Sequence, residues 1–281
     1  MMKIFLTGAT GFIGSHFINC AHQAGHKIVA LRRSEESQPR VTLLSEPSWL
    51  TKALRDVDED DMAECDVLVH LAAHSANVPY DTIENCMQYN LMDPLKLFHR
   101  AVNAGLKRFI VAGSCFEYGK SGERYVDIPV DAPLEPTSSY PASKAAASVA
   151  FHAFAYEQNV SLLILRIFQV YGEGELESRF WPSLRKAALA GEDMKMTTGD
   201  QVRDFMHVKE VAKIFVSNLE REDLTEGFPI IENIGTGNPK TLAEFAQSEW
   251  KKFGGGGKLI LGALPQRKNE VMRFVPKIAK R

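Results

Sequence analysis

One octapeptide near the amino terminus, Thr7-Gly8-Ala9-Thr10-Gly11-Phe12-Ile13-Gly14, constrains the fold of this 281-residue chain more than any other stretch. It follows the short apolar run Ile4-Phe5-Leu6 and leads into a segment whose Phe12, Ile13, Phe17, Ile18 and Ala21 fall on one helical stripe. Glycines at such a strand-to-helix turn allow a tight bend and close backbone approach, and the first amides of the helix are free to meet a phosphate. At the first strand–helix junction of a chain this spacing marks a dinucleotide site. Gly8, Thr10, Gly11, Phe12, Ile13 and Gly14 are therefore assigned to a dinucleotide.

The remaining pattern agrees with that start. Apolar runs at residues 4–7, 27–31, 67–71, 109–112 and 162–165 read as strands, and residues 12–24, 84–104 and 141–158 read as helices between them. Continuous apolar strands alternating with helices predict a doubly wound parallel α/β sheet of the Rossmann type. After Tyr171 turn clusters at 172–174, 199–200, 235–239 and 254–257 break up shorter elements. The expected organisation is a dinucleotide-binding domain over residues 1–170 that carries the catalytic residues. A smaller substrate-binding lobe follows over 171–281, some of whose segments return to the sheet.

Composition excludes several classes. A formal net charge of -2 without like-charge runs gives no footprint for nucleic acid. No apolar stretch approaches the roughly 20 residues of a membrane span, so no membrane partner is expected. Cys20, Cys65, Cys86 and Cys115 lack Cys-x-x-Cys spacing, which argues against zinc and a disulfide framework and for a reducing cytoplasm. No metal is expected, and His70, His74 and His207 are read as structural.

Two further sites carry chemistry. At the end of the second strand stand Arg32 and Arg33, with no acidic residue before Glu35. A carboxylate there would bind the ribose hydroxyls of NAD, whereas arginine accommodates the 2′-phosphate of NADP, so NADP(H) is favoured over NAD(H). In Tyr140-Pro141-Ala142-Ser143-Lys144, Pro141 suits the first turn of a helix and Ser138 or Ser139 its cap. Tyr140 and Lys144 then lie one turn apart, where an ammonium favours the phenolate of a tyrosine that gives or takes a proton.

The glycine turn, His70-Leu71-Ala72-Ala73, Ser114 four residues before Tyr118-Gly119, the Tyr140/Lys144 pair, Arg203-Asp204-Phe205 and Arg267 together resemble the extended short-chain dehydrogenases. This is the NAD-dependent epimerase/dehydratase family of nucleotide-sugar enzymes. The resemblance implies a catalytic triad of Ser114, Tyr140 and Lys144, with Ser114 bonding the substrate oxygen and Lys144 the nicotinamide ribose. It also implies that Leu71, Ala72 and Ala73 line the dinucleotide and that Arg203 and Arg267 hold a nucleotide-diphosphate sugar. A salt bridge to Asp204 is the alternative for Arg203.

Departures from the family narrow the expected reaction. Its dehydratases follow the catalytic hydroxyl with an Asp-Glu pair, but here those places hold Cys115 and Phe116, so elimination is not expected. Glu117 lies one place further on and is read as a hydrogen-bonding residue at the rim. Several stretches, the Trp49 region among them, are similar to reductases of CDP-linked 4-keto-6-deoxy sugars. The expectation is an NADPH-dependent reductase of a nucleotide-linked 4-keto-6-deoxy sugar. An NAD-dependent nucleotide-sugar 4-epimerase is the alternative, and a non-catalytic dinucleotide-sensing module a remote one. The segments 84–104 and 141–158 resemble a helix pair that forms a homodimer contact in relatives.

Overall fold

The computed structural model describes residues 1–266 and 270–278. Six strands, β1 (Lys3–Thr7), β2 (Lys27–Arg32), β3 (Ser48–Thr51), β4 (Val67–His70), β5 (Arg108–Ser114) and β6 (Ser161–Ile167), join a seventh, Ile230–Ile234, in one sheet. Its spatial order is seventh strand, β6, β5, β4, β1, β2, β3, and every neighbouring pair is parallel. The order reverses between β1 and β4, and in open parallel sheets that reversal opens a crevice at the carboxyl ends of the strands.

Period-two alternation along the strands sorts the core into two layers. Ile4 and Leu6 of β1 face one side, packed with Phe17 and Ile18 of α1 (Phe12–Gln23) and Val211 and Phe215 of α6 (Val208–Ser217). Phe5 faces the other, with Leu97 and Phe98 of α3 (Asp93–Asn103) and Phe151 and Phe154 of α4 (Ser139–Glu157). Phe98 is the hub of that second layer, its ring centroid 4.7 Å from Phe151 and 5.3 Å from Phe109. Truncating a buried phenylalanine of this kind to alanine costs about 3–5 kcal/mol.

Three details differ from the sequence reading. The helix expected over 84–104 is divided into α2 (Ile83–Met87), a π-helical turn (Gln88–Met92) and α3. Pro94, in the first turn of α3, brings no N–H to the carbonyl four residues earlier, at Asn90. Two sheet strands lie outside the apolar runs of the sequence: β3 is a four-residue edge strand with exposed ends, and Glu232 and Asn233 interrupt the apolar pattern of Ile230–Ile234. Finally, Ser138 occupies the N-cap of α4 but its side chain makes no capping bond, while the Ser139 hydroxyl donates to the Asp81 carbonyl at 2.6 Å.

Beyond residue 170, α6 and Ile230–Ile234 return to the sheet. Other segments build a separate cluster in which α5 (Phe180–Ala190) contributes Leu184 and Ala188 and α7 (Leu242–Lys252) contributes Ala246 and Trp250. Short strand pairs flank it: Gln169–Tyr171 with Phe205–His207, and Val202–Arg203 between Lys240–Thr241 and Arg273–Phe274. No helix of the described residues is long and apolar enough to cross a membrane.

At the strand reversal, His70 Nδ1 and Thr7 Oγ1 share a 2.7 Å hydrogen bond. Burial, with a contribution from the Lys144 charge, pushes the His70 pKa down to about 3. An unfolded histidine takes up a proton near ~6.5, so the stabilising effect of keeping His70 neutral is complete above that pH and is lost as pH falls from there toward 3. The melting temperature should decline as pH is lowered from ~7 to ~5, and His70→Asn should flatten that slope whatever its effect on absolute stability. An unchanged slope would show that His70 does not drive the acid sensitivity.

Candidate active site

The glycine turn leaves β1 with Gly8 at φ +73°, a left-handed conformation that a side chain strains. A Cβ on Gly8 would stand 2.5 Å from the Ala72 nitrogen and the Leu71 carbonyl carbon, and one on Gly14 would stand 2.1 Å from the Gly8 oxygen. Leu71 and Ala72, just past the end of β4, are thus pressed against the turn. Gly11 is the N-cap of α1 and supplies no side-chain cap. The leading amides of that helix, with their partial positive charge, are left for an outside acceptor. Bare backbone, no Cβ and uncapped amides fit a pyrophosphate, so the residues present suit the dinucleotide that the sequence implies.

At the end of β2 the two arginines differ. The Arg32 guanidinium lies 5.1 Å from the centre of the Trp49 ring, and its Nε donates to Thr51 Oγ1 at 3.0 Å, both partners being on β3. Arg33 is exposed and makes no hydrogen bond or ion pair among the described residues.

Across the crevice, Tyr140 and Lys144 lie on one side of the first turns of α4, 7% and 5% exposed. Lys144 Nζ donates to the Ala112 carbonyl of β5 at 2.8 Å, and its charge is felt by His70, itself bonded to Thr7 beside the glycine turn. Ser114 ends β5 and is also buried, and its Oγ accepts from the Phe116 amide at 3.2 Å. Burial raises the Tyr140 pKa, and hydrogen bonding to Ser114 opposes that rise. Burial lowers the Lys144 pKa, opposed by the Glu117 carboxylate. Burial thus favours the neutral form of each group, with the Tyr140 phenol beside Ser114 and Lys144 Nζ turned to the β5 backbone.

Other residues brace this centre without a distinctive sequence signal. Asn90, in the π-helical turn, donates to Ser143 Oγ at 2.9 Å and to the His74 carbonyl at 3.0 Å, and Ser143 Oγ donates to the Tyr140 carbonyl at 2.8 Å. The Tyr80 ring lies 5.5 Å from that of Tyr140. Only the tertiary fold brings the 74–82 loop to α4, so composition and spacing gave no warning of it.

One expectation is corrected, and one alternative is excluded. Glu117 is not at the rim: it is fully buried, paired with Arg166 at 2.8 Å. Arg203 makes no salt bridge with Asp204; its ion pair is with Glu270 at 3.4 Å, and Nη2 donates to the Val271 carbonyl at 2.7 Å. Asp204 instead accepts from the Thr236 and Gly237 amides, each at 2.9 Å. Neighbours along an extended chain point to opposite sides, which separates the two. Arg203 is close enough to Cys115 for its charge to act on the thiol, yet burial dominates and pushes the thiol up to about 12. A thiol so held is no base at neutral pH, and Phe116, 43% exposed, offers only a ring. Arg267 lies outside the described residues.

The model of the NAD dependent epimerase/dehydratase family matches residues 4–235. The chain belongs to this family. It is accordingly an enzyme of the NAD-dependent epimerase/dehydratase class, and the parallel sheet agrees with family members of known structure. CDP-abequose synthase of Salmonella muenchen is 27% identical over 96% of this chain and 87% of that protein. UDP-glucose 4-epimerase of Corynebacterium glutamicum is 25% identical over 88% of this chain and 79% of its own. Among solved structures, MoeE5 in complex with UDP-glucuronic acid and NAD superposes with a TM-score of 0.81 at 26% identity, covering 98% of this chain and 90% of that one. The UDP-N-acetylglucosamine 4-epimerase of Methanobrevibacter ruminantium shares the fold with a TM-score of 0.86 at 24% identity, over 99% of this chain and 90% of its own.

Gly8→Ala tests the cradle. Because the new methyl would displace the 71–73 backbone, dinucleotide affinity measured by fluorescence titration should fall at least ~10-fold. Undiminished affinity would place the dinucleotide elsewhere.

Proposed function

We propose that this enzyme is an NADPH-dependent reductase of a nucleotide-diphosphate-linked 4-keto-6-deoxy sugar. The observation that carries the reading is the placement of the buried Tyr140 phenol against the Ser114 hydroxyl, with Lys144 one turn further along α4. Cys115 and Phe116, in place of a carboxylate pair, leave no base for elimination. Similarity to a CDP-abequose synthase supports the same choice.

The nicotinamide, when bound, supplies the hydride for the carbonyl carbon. Ser114 donates a hydrogen bond to the carbonyl oxygen and polarises it. Tyr140 transfers its proton to that oxygen as negative charge develops there, and recovers one from solvent afterwards. The Lys144 ammonium stabilises the transient phenolate and offers a donor to the ribose of the dinucleotide. Gly8, Thr10, Gly11, Phe12, Ile13 and Gly14, with Leu71, Ala72 and Ala73, hold the dinucleotide. Arg203, and Arg267 by resemblance, hold the nucleotide-diphosphate sugar, within a lobe assigned to residues 171–281.

The cofactor reading can be made sharper. Arg32 is already engaged by Trp49 and Thr51, so the 2′-phosphate falls to Arg33, with Arg32 fixing the local backbone. A homodimer through α3 and α4 belongs to the same proposal, with Val149 and Tyr156 of α4 exposed at 64% and 70%. Similarity to a UDP-glucose 4-epimerase supports an NAD-dependent 4-epimerase as the second reading.

Purified enzyme should oxidise NADPH in step with the disappearance of a nucleotide-linked 4-keto-6-deoxy sugar. Tyr140→Phe should lower kcat by ~100-fold or more, with the Kd for NADPH little changed. Arg33→Ala should raise the KM for NADPH by ~10-fold and leave that for NADH unaltered, since one charge-assisted bond is lost. Full turnover by Tyr140→Phe would defeat the mechanism, and an equal effect on both cofactors would remove Arg33 from the phosphate.

A further inference from the structure

The Glu117 carboxylate is fully buried and gathers donors from three separate elements. Oε1 accepts the Ser114 amide at the end of β5 at 2.7 Å. Oε2 accepts Ser148 Oγ of α4 at 2.7 Å and Arg166 Nε of β6 at 2.8 Å. Ser148 lies one helical turn past Lys144 and two past Tyr140 on α4. Arg166 is fixed in turn, its Nη1 donating to the Tyr118 hydroxyl at 2.9 Å and the Val130 carbonyl at 2.8 Å. Gly113 completes the packing, because a Cβ there would stand 3.0 Å from Glu117 Oε1.

A buried ion pair is a poor device for stability alone, since apolar residues of similar volume commonly replace one without loss. What this pair adds is geometry. Ser114 sits on a strand end and Tyr140 on a helix, and besides Glu117 the Lys144 Nζ bond to the Ala112 carbonyl ties that helix to that strand. Misplacing a reacting group by an ångström can cost ~100-fold in rate.

We infer that Glu117 is a positioning residue: its carboxylate fastens the end of the strand bearing Ser114 to the helix bearing Tyr140 and Lys144, and Arg166 holds that carboxylate in place. The inference rests on the reading of Ser114, Tyr140 and Lys144 as the chemical centre. The charged and titratable groups facing Glu117 are Arg166 and Tyr118 on one side and Tyr140, Lys144 and Cys115 on the other. After burial, which dominates both, the Glu117 charge acts upward on the pKa of Tyr140 and of Lys144.

Glu117→Gln tests it, because the amide brings a donor where only acceptors serve. In the variant kcat should fall ~10–100-fold while KM for sugar and for NADPH stays within about threefold of wild type. The alkaline limb of the pH–rate profile should move to lower pH, as an upward influence on both groups is gone. Hydrogen exchange of the protein without cofactor should quicken together in segments 113–119 and 140–149, with β1, β2 and β4 unchanged. A folded Glu117→Gln with wild-type kcat and an unmoved limb would overturn the inference, as would faster exchange in only one of the two segments. Should that variant not fold, Ser148→Ala cuts only the link to α4: a loss of about three- to tenfold in kcat with faster exchange at 140–149 is expected, and wild-type behaviour in both readouts refutes the inference. Failure of the functional reading would show separately, as a wild-type enzyme that does not consume NADPH; the exchange measurement would still judge Glu117.

Discussion

Where the sheet reverses its strand order, the backbone of Gly8 lies against that of Leu71 and Ala72 with no room for a Cβ. The rest of the site is arranged about this contact. It brings the ends of β1 and β4 together, allows the Thr7–His70 hydrogen bond, and exposes the first amides of α1 to the crevice. The neighbouring strand β5 then carries Ser114 to the same edge and offers the Ala112 carbonyl to Lys144. A side chain at Gly8 would move β4 and, through it, the floor of the site.

Burial sets the chemistry of the two central groups in opposite directions. It raises the pKa of Tyr140 and lowers that of Lys144, so each is pushed toward its neutral form. On the proposed reading, the phenol beside the Ser114 hydroxyl gives up its proton as a sugar oxygen becomes negative. Cys115 and Phe116 bring no carboxylate to the site, and the Glu117 carboxylate is committed to Arg166, Ser148 and the Ser114 amide.

The architecture was legible in the sequence because a parallel sheet covered on both faces needs unbroken apolar strands, and Ile4-Phe5-Leu6 and Leu162-Leu163-Ile164-Leu165 show them plainly. The strand Ile230–Ile234 escaped notice because it lies at the sheet edge and carries Glu232 and Asn233. Tyr140, Lys144 and the glycine turn were legible since each is local in sequence. The Arg166–Glu117 pair and the Tyr80 contact were not, as both join segments far apart in the chain, and a glutamate in a polar-looking turn gives no sign of being buried. Likewise, only β3 reveals that Arg32 is held by Trp49 and Thr51, while Arg33 is exposed.

Whether the site reduces a sugar or epimerises it turns on the fate of one hydride. NADPH stereospecifically deuterated at the transferable ring position, incubated with the enzyme and a nucleotide-linked 4-keto-6-deoxy sugar, makes that fate visible by mass spectrometry and NMR. The account predicts one deuterium at C4 of the product for each NADPH oxidised. A sugar inverted at C4 with no deuterium gained and no NADPH consumed would contradict it.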